Sequence, residues 1–222
     1  MSVTDHGPSG VTVAGDALRR IKFLTERLFR GINAPMTPHF DSDETTAWFT
    51  DRLKGADCYL EFGSGGSTYL AAQLGVRFAT VESDRKFLDA VRAQIEGHDL
   101  LRPSQIFHHA DIGPTGRWGR PLGRVDSERM QQFRRYSDAP TGFDCVPDLV
   151  LIDGRFRVAC ALKAMSRYPA ATVIVDDFLG RPHYEILRNH ADIRMVGRMA
   201  VMESWDPRGC HETLRLTETL PA

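Results

Sequence analysis

The residues best placed to do chemistry follow a short apolar run. Cys58–Phe62 is followed by Gly63, Ser64, Gly65 and Gly66, which predicts a buried strand leading through a loop into a helix. Glycines in such a loop permit positive φ and let a ligand approach the backbone closely. Ligands of open parallel sheets bind beyond the carboxyl ends of the strands, and this loop is expected to lie there.

Two kinds of ligand suit this glycine loop. Dinucleotide-binding loops follow G-x-G-x-x-G, but Thr68 stands here where the third glycine would be. Glu61 stands two positions before Gly63, as an acidic residue does in proteins that bind S-adenosylmethionine (SAM). SAM carries an ammonium and a sulfonium, so a nearby carboxylate is favourable. A flavodoxin-like or other nucleotide fold with a similar loop is the competing interpretation.

Acidic residues also end the next two predicted strands. Glu82 lies 19 positions after Gly63, with Ser83 beside it, and a carboxylate there can accept both hydroxyls of a ribose. NAD sites and SAM sites share that feature. Asp111 and Ile112 follow the third strand, where a polar side chain can accept from an adenine amino group. Together with the loop, these residues favour SAM.

Over roughly residues 56–217 the chain resembles the class I SAM-dependent methyltransferase superfamily, and it looks closest to small bacterial methyltransferase-like proteins. The matching segments are Leu60–Thr68, Asp111–Gly116, Trp118-Gly119 and Leu151–Gly154. The resemblance implies a seven-stranded sheet with one reversed strand at an edge. It also implies that Glu61 and Gly63–Gly66 face the methionine part and ribose of SAM, that Glu82 binds the ribose, and that Asp111 and Ile112 frame the adenine. Asp153 would lie near the amino group and the transferred methyl.

A resemblance to catechol-type O-methyltransferases suggests a Mg²⁺ site. Those enzymes hold the ion with an Asp after strand four and a pair of residues after strand five, where this chain has Asp153, Asp176 and Asp177. Oxygen ligands suit Mg²⁺. The catechol-type Lys three residues after the first Asp is replaced by Phe156, so the metal-and-base mechanism does not carry over as a whole. The alternative is that Asp176 caps the loop and Asp177 bonds backbone amides or faces solvent.

The candidate catalytic residues are Asp153 and His183. His183 follows strand five and could serve as a base, although a histidine there is more often structural or exposed. Arg155 and Arg157 follow Asp153 and could grip a carboxylate or phosphate. The alternative is that they form a solvated first helical turn.

The pattern of elements is that of an α/β protein. Apolar runs alternate with helical periodicity, which predicts a Rossmann-like, doubly wound, seven-stranded and mostly parallel sheet with a C-terminal antiparallel strand and N-terminal helices. Residues 1–55 are assigned to an N-terminal extension whose helices cover the site, and residues 56–222 to the methyltransferase-like domain. The predicted helices of the extension are an apolar stretch over Leu18–Phe29 and a second that begins at Ser42. The late hairpin is placed at Val196–Glu203 and Glu212–Leu216.

Residues 110–147 interrupt this alternation with glycines and prolines. A connection of that length is usually a functional loop or lid. Its middle, 117–135, contains six arginines against Asp126 and Glu128. It is either a solvated flap or a lid that attracts an anionic substrate. Trp118 within it either stacks on the adenine or anchors the loop.

Bulk composition narrows the function classes. A net charge of −1 gives no electrostatic case for a nucleic-acid partner, and no stretch is long and apolar enough for a membrane span. Cys58 and Cys160 are predicted to be free core residues, and a reduced, cytoplasmic location is the default.

We expect a SAM-dependent methyltransferase that acts on a small polar molecule, an anionic one if the arginines serve the substrate. The alternative is a non-catalytic SAM-binding or regulatory module. An NAD-dependent oxidoreductase is disfavoured by Thr68, and the oligomeric state is left open.

Overall fold

The fold is described from a computed structural model, which covers residues 32–138, 143–206 and 208–221. The helix predicted over Leu18–Phe29 lies outside the described residues. The helix predicted from Ser42 is confirmed, because the Ser42 hydroxyl accepts a hydrogen bond from the Thr45 amide at 3.1 Å and so caps its first turn.

Strands and helices alternate along the described chain. The strands are β1 (Tyr59–Phe62), β2 (Phe78–Glu82), β3 (Gln105–His109), β4 (Leu149–Ile152), β5 (Thr172–Val175), β6 (Ala191–Val196) and β7 (Met199–Trp205). The α-helices are α1 (Asp43–Lys54), α2 (Gly66–Gln73), α3 (Arg85–Glu96), α4 (Ser127–Tyr136), α5 (Arg157–Arg167) and α6 (Cys210–Thr217). Two 3₁₀ helices span Arg117–Gly119 and Pro182–Asn189.

The seven strands form one sheet in the order β3-β2-β1-β4-β5-β7-β6, which confirms the predicted fold class. The pairings from β3 through β5 are all parallel, and β7 runs antiparallel to both of its neighbours. The reversed strand therefore lies one place in from the edge, whereas the family resemblance placed it at the edge itself. The strand order reverses between β1 and β4, which is where open α/β sheets bind their ligands.

The central strands are buried on both faces. Every residue of β1, β2 and β4 is buried, as a parallel sheet covered by helices requires. Leu60 and Phe62 pack on the face that α5 covers, while Tyr59 packs on the face of α1 and α3. The alternation follows from the two-residue period of a strand. This rigid layer fixes the carboxyl ends from which the site is built.

The predicted position of the late hairpin was wrong. Its strands are β6 and β7, joined by the two-residue turn Gly197-Arg198, and Glu212–Leu216 lies inside helix α6. Cys210 and Thr217 are buried and Leu214 packs on the core, so this stretch follows helical rather than strand spacing. The turn brings Gly197 to a φ of 55°, in the left-handed region that a two-residue hairpin turn needs.

Two further predictions needed correction in the segment 110–147. The segment contains helix α4, whose Phe133 and Tyr136 are buried in the core, so much of it is packed structure rather than a loose lid. Cys58 is bonded to Cys145 in a disulfide and is not a free core thiol. The two cysteines lie 87 positions apart, and they meet because the segment packs back on the start of β1. Cys160 is a free, buried thiol as predicted.

Candidate functional site

The glycine loop lies at the switch point of the sheet and is packed too closely for larger residues. Gly63 has a φ of 101°, and a Cβ there would lie 2.6 Å from the backbone nitrogen of Gly154. A Cβ on Gly66 would lie 1.8 Å from the carbonyl oxygen of Thr37. The loop is therefore held between the end of β4 and the N-terminal segment. A Cβ on Gly65 would have Pro35 as its one neighbour within 4 Å among the described residues, at 3.9 Å.

Glu61 fixes the glycine loop through hydrogen bonds to the start of α2. Its side chain is fully buried and accepts hydrogen bonds from the hydroxyls of Ser67 and Thr68, the latter at 2.5 Å. The Thr68 hydroxyl also accepts from the Gly65 amide at 2.9 Å. Thr68 therefore links the loop backbone to the carboxylate, which a glycine at this position could not do. Burial raises the pKa of Glu61 to about 7, and the hydroxyls of Ser67 and Thr68 oppose that rise.

Glu82 presents a fixed carboxylate at the end of β2. One of its oxygens, Oε1, accepts from the amides of Ser83 at 2.7 Å and Asp84 at 2.9 Å. The other, Oε2, accepts from the amide of Ser64 at 3.2 Å and from its hydroxyl at 3.3 Å. The pKa of Glu82 is raised by burial, against the lowering effect of the two backbone amides. The weaker Ser64 contacts leave Oε2 as the better acceptor for a further donor.

The glycine-rich loop after β3 lies beside Glu82. Asp111 is exposed and accepts from the amide of Gly113 at 2.8 Å, while Ile112 is buried. A Cβ on Gly119 would lie 2.7 Å from the Ser83 hydroxyl oxygen, so the loop backbone passes directly over the end of β2.

Arg129 holds that loop in place. Its side chain is buried and donates to the carbonyl oxygens of Ile112 at 3.2 Å, Pro114 at 2.7 Å and Leu122. Trp118, at the tip, is 77 % exposed and has a φ of 61°. The exposed ring packs little against the loop, and its stacking on a ligand stays a prediction.

Asp153, at the end of β4, is held by a buried arginine. Arg157 donates to the Asp153 carboxylate at 2.9 Å and to the Asp153 carbonyl at 2.8 Å. The Asp153 side chain is 38 % exposed and stands at the end of β4. Burial there raises the pKa of Asp153 to about 7, Arg157 lowers it, and the charges of Asp176 and Asp177 raise it further.

The predicted Mg²⁺ site is not supported, because arginines occupy the place of the cation. Arg198, from the β6–β7 turn, donates to both carboxylate oxygens of the fully buried Asp176 at 2.9 and 2.8 Å and lies 3.0 Å from Asp177. Asp177 also pairs with Arg181 at 3.0 Å. Within residues 32–138, 143–206 and 208–221, no group of three or more His, Cys, Asp or Glu side chains is arranged to hold a metal ion. The like charges of Asp153, Asp176 and Asp177 are compensated by guanidinium groups instead.

Phe156, which stands where the catechol-type pattern has Lys, is a packing residue. It is fully buried, and its ring lies 4.9 Å from that of Phe133 and 5.4 Å from that of Tyr136. The Tyr136 hydroxyl accepts from the Arg155 amide at 3.3 Å. Phe156 therefore docks helix α4 against α5, and its side chain is not available to a substrate.

His183 and its neighbour Tyr184 differ in exposure although their rings are in contact. His183 is exposed, and burial together with the charge of Arg181 lowers its pKa. Tyr184 is fully buried, and its ring lies 4.3 Å from that of His183. The catalytic role of His183 stays a prediction, and the buried side chains of this helix are those of Tyr184 and Leu187.

The sequence reasoning missed three residues that bond across elements: Arg129, Tyr136 and Arg198. Arg157 was predicted either to bind an anion or to lie in a solvated helical turn, but it is buried and bonds nearby backbone, including the Gly154 carbonyl at 3.0 Å. The sequence contains one local signal, the placement of Arg157 four residues after Asp153, which is the spacing of a side-chain ion pair on a helix.

The comparisons with known proteins agree with this arrangement. The chain is 32 % identical to a methyltransferase-like protein from Silicibacter pomeroyi DSS-3 of known crystal structure, with a TM-score of 0.70, and the match covers 84 % of this chain and all of that one. The chain belongs to the class I SAM-dependent methyltransferase superfamily. By family, then, it is a methyltransferase.

A more distant likeness is to a methyltransferase from Geobacter sulfurreducens, at 14 % identity and a TM-score of 0.47 over 89 % of this chain and 91 % of that one. No protein-family model and no curated protein matches the chain.

The residues present in this methyltransferase fit SAM. Glu82 is fixed by backbone amides with Oε2 turned toward the glycine loop, as a ribose acceptor must be. Gly65 lies open beside it, and Asp111 is exposed next to the buried Ile112. Both oxygens of Glu61 bond hydroxyls of α2, so it positions the loop, and its direct contact with the cofactor stays a prediction.

Proposed function

We propose that this methyltransferase is an active enzyme that transfers the methyl group of SAM to a small, polar and anionic molecule. The observation that carries the proposal is the division of charge along one edge of the sheet. A fixed carboxylate, Glu82, stands at the end of β2, and the guanidinium groups of Arg155 and Arg181 stand near the ends of β4 and β5. The carboxylate of Glu82 suits the hydroxyls of a ribose, and the guanidinium groups suit an anionic substrate.

Each residue would have a distinct part in the reaction. Bound SAM supplies the electrophilic methyl group. Glu82, Ser64 and the loop of Gly63–Gly66 would orient the cofactor, and the Asp111 loop would cover its adenine end. Asp153, with a pKa of about 7, is matched to taking a proton from an acceptor at neutral pH. In-line alignment of acceptor, methyl and sulfur would supply the rest of the rate.

Other features bear on the class of the methyl acceptor and on the cellular location of the protein. The net charge of −1 favours a small-molecule acceptor over a nucleic acid. In the described part of the chain, no helix has the length and apolarity needed to cross a bilayer. Cytoplasmic location stays a prediction, and the Cys58–Cys145 disulfide argues against it, because such bonds persist mainly in oxidising compartments.

Labelled SAM tests the proposal. The protein is incubated with methyl-labelled SAM and a cell extract separated into small-molecule, protein and nucleic-acid fractions. We expect label to enter the small-molecule fraction and to be retained there by an anion exchanger. Label in protein or nucleic acid would contradict the substrate class. SAM binding without label in any fraction would favour the non-catalytic module.

A further inference from the structure

Tyr184 carries a buried hydroxyl without a partner. Its side chain has 0 % exposed surface, and its hydroxyl oxygen has no hydrogen-bond partner among the described residues. The great majority of buried side-chain polar atoms are hydrogen-bonded, and an exception calls for an explanation. A phenol that served only packing would not need its hydroxyl in this position.

The surroundings of Tyr184 connect it to the acidic residues of the site. Asp153 pairs with Arg157 at 2.9 Å, and Arg157 lies 3.8 Å from Asp177. Asp177 in turn pairs with Arg181 at 3.0 Å, and the Arg181 guanidinium lies 5.7 Å from the centre of the Tyr184 ring. The phenol therefore stands at the end of a continuous chain of contacts that begins at Asp153.

The charges that face Tyr184 are mainly positive. Arg157, Arg181 and Arg155 act on it, with Asp177 as the opposing carboxylate. Burial nevertheless raises the pKa of Tyr184, so at neutral pH it keeps its proton and acts as a donor.

Arg155 connects this group to the cofactor side. A Cβ on Gly119 would lie 3.8 Å from Cγ of Arg155 and 2.7 Å from the Ser83 hydroxyl oxygen, so the stem of Arg155 reaches the loop above β2. A guanidinium has five N–H donors, so binding a ligand does not require Arg155 to lack other partners. Arg181 is part exposed and can also bind a ligand. Its partner Asp177 keeps a second pairing, with Arg198 at 3.0 Å.

We propose that the Tyr184 hydroxyl, together with the guanidinium groups of Arg155 and Arg181, forms an oxyanion subsite of the substrate cleft. Its ligand is a carboxylate or phosphate group of the methyl acceptor, with one oxygen accepting from the phenol and the others pairing with the arginines. The inference rests on the proposed function, and it assigns the recognition of the acceptor to residues outside the glycine loop.

Anion binding by the cofactor-loaded protein tests this subsite. The protein is saturated with S-adenosylhomocysteine (SAH) and titrated with inorganic phosphate or with benzoate, against chloride at equal ionic strength. Wild type is compared with Tyr184→Phe and Arg155→Met. Arg77→Met is the control, because it removes an exposed arginine just before the amino end of β2. The melting temperature without added anion is measured for all four proteins.

We expect phosphate, benzoate or both to stabilise the wild type beyond chloride, and the effective anion supplies the chemical class. Tyr184→Phe should weaken that binding about tenfold, Arg155→Met by at least as much, and Arg77→Met not at all. Without anion, Tyr184→Phe should melt no lower than wild type, because it deletes only an unpartnered hydroxyl. If it melts lower, the hydroxyl has a structural partner and the subsite is wrong.

Equal anion effects in wild type, Tyr184→Phe and Arg155→Met would also overturn the inference, as would a wild type that does not distinguish the anions from chloride. Calorimetry with SAH separates these failures from failure of the proposed function. If SAH binds and the anions do not, the subsite alone is wrong. If SAH does not bind, the methyltransferase proposal is wrong whatever the anions do.

Discussion

At the scale of single residues, Glu61 shows that a motif position can make structural contacts that its spacing in the sequence does not reveal. An acidic residue two positions before Gly63 pointed to the cofactor, yet its carboxylate bonds Ser67 and Thr68 and has no exposed surface. The sequence contains the residue and its spacing, but the direction of its side chain depends on the turn that α2 makes above β1. Glu82, by contrast, stands where its place at a strand end predicted.

The buried carboxylate of Glu61 should make stability depend on pH. Glutamate titrates near 4.5 in an unfolded chain, and burial raises the pKa of Glu61 to about 7 in the folded protein. Between these values the unfolded state ionises while the folded state keeps its proton. The contribution of Glu61 to the free energy of unfolding therefore falls as the pH rises through this interval and is constant above it.

We expect Glu61→Gln to remove this dependence. In urea unfolding between about pH 5 and pH 8, the wild type should lose roughly 2–3 kcal/mol more than the variant. Asp153 is present in both proteins, so its own titration cancels in the comparison. Parallel curves for the two proteins would show that Glu61 is ionised throughout.

Arg198 is a residue whose role could not be predicted, because its partners lie more than twenty positions away along the chain. It donates to Asp176, to the His39 carbonyl at 2.8 Å and, through its amide, to Asp41 at 3.0 Å. Nothing local in the sequence distinguishes it from the other arginines. Only the sharp turn after Gly197 brings it to the end of β5.

Replacing Arg198 should expose the cost of the buried Asp176 charge. We expect Arg198→Met to lower the free energy of unfolding by about 3–5 kcal/mol, because it leaves an unpaired buried carboxylate. Asp176→Asn in the same protein should recover much of this loss. Arg208→Met, which breaks an exposed pair with Asp206, should cost about 1 kcal/mol or less. If Arg198→Met is as mild as Arg208→Met in chemical denaturation, the pair does not hold the acidic cluster together.

At the scale of elements, the segment 110–147 departs most from what the sequence predicted. Its glycines, prolines and charges indicated a loop, and the mean hydropathy of α4 is low because arginines and glutamines fill its exposed side. Phe133 and Tyr136 nevertheless pack on Phe156. The apolar face of α4 is only two aromatic residues wide, which is too narrow for periodicity to reveal.

Arg129 connects that helix to the loop over the cofactor site, so its loss should affect binding more than folding. We expect Arg129→Met to keep α4 packed and to remove the three side-chain hydrogen bonds to the carbonyls of Ile112, Pro114 and Leu122. SAH binding should weaken about tenfold or more. Calorimetry measures the affinity, and hydrogen exchange at residues 113–123 should become faster. Arg135→Met, on the exposed side of the same helix, is the control. Unchanged exchange and affinity in Arg129→Met would contradict this role.

At the scale of the whole molecule, the sheet was predictable and its long-range connections were not. Alternation of buried strands and helices sufficed for the fold class, since each βαβ unit is defined within a short stretch of chain. The Cys58–Cys145 disulfide and the pairing of Arg198 with Asp176 join segments that are distant in the chain. Arg198 ties the β6–β7 turn and the N-terminal segment to the edge of the sheet where the acidic residues meet. The disulfide lies at the opposite edge, before β1 and β4.

The central claim is that this edge binds SAM through Glu82. Calorimetric titration of the wild type and of Glu82→Gln with SAM, SAH and NAD tests it most directly, with Glu96→Gln, at the exposed end of α3, as the matched control. We expect the wild type and Glu96→Gln to bind SAM and SAH but not NAD, and Glu82→Gln to bind SAM more weakly by roughly 1–3 kcal/mol. Binding of NAD without SAM, or equal SAM affinity in all three proteins, would contradict the claim.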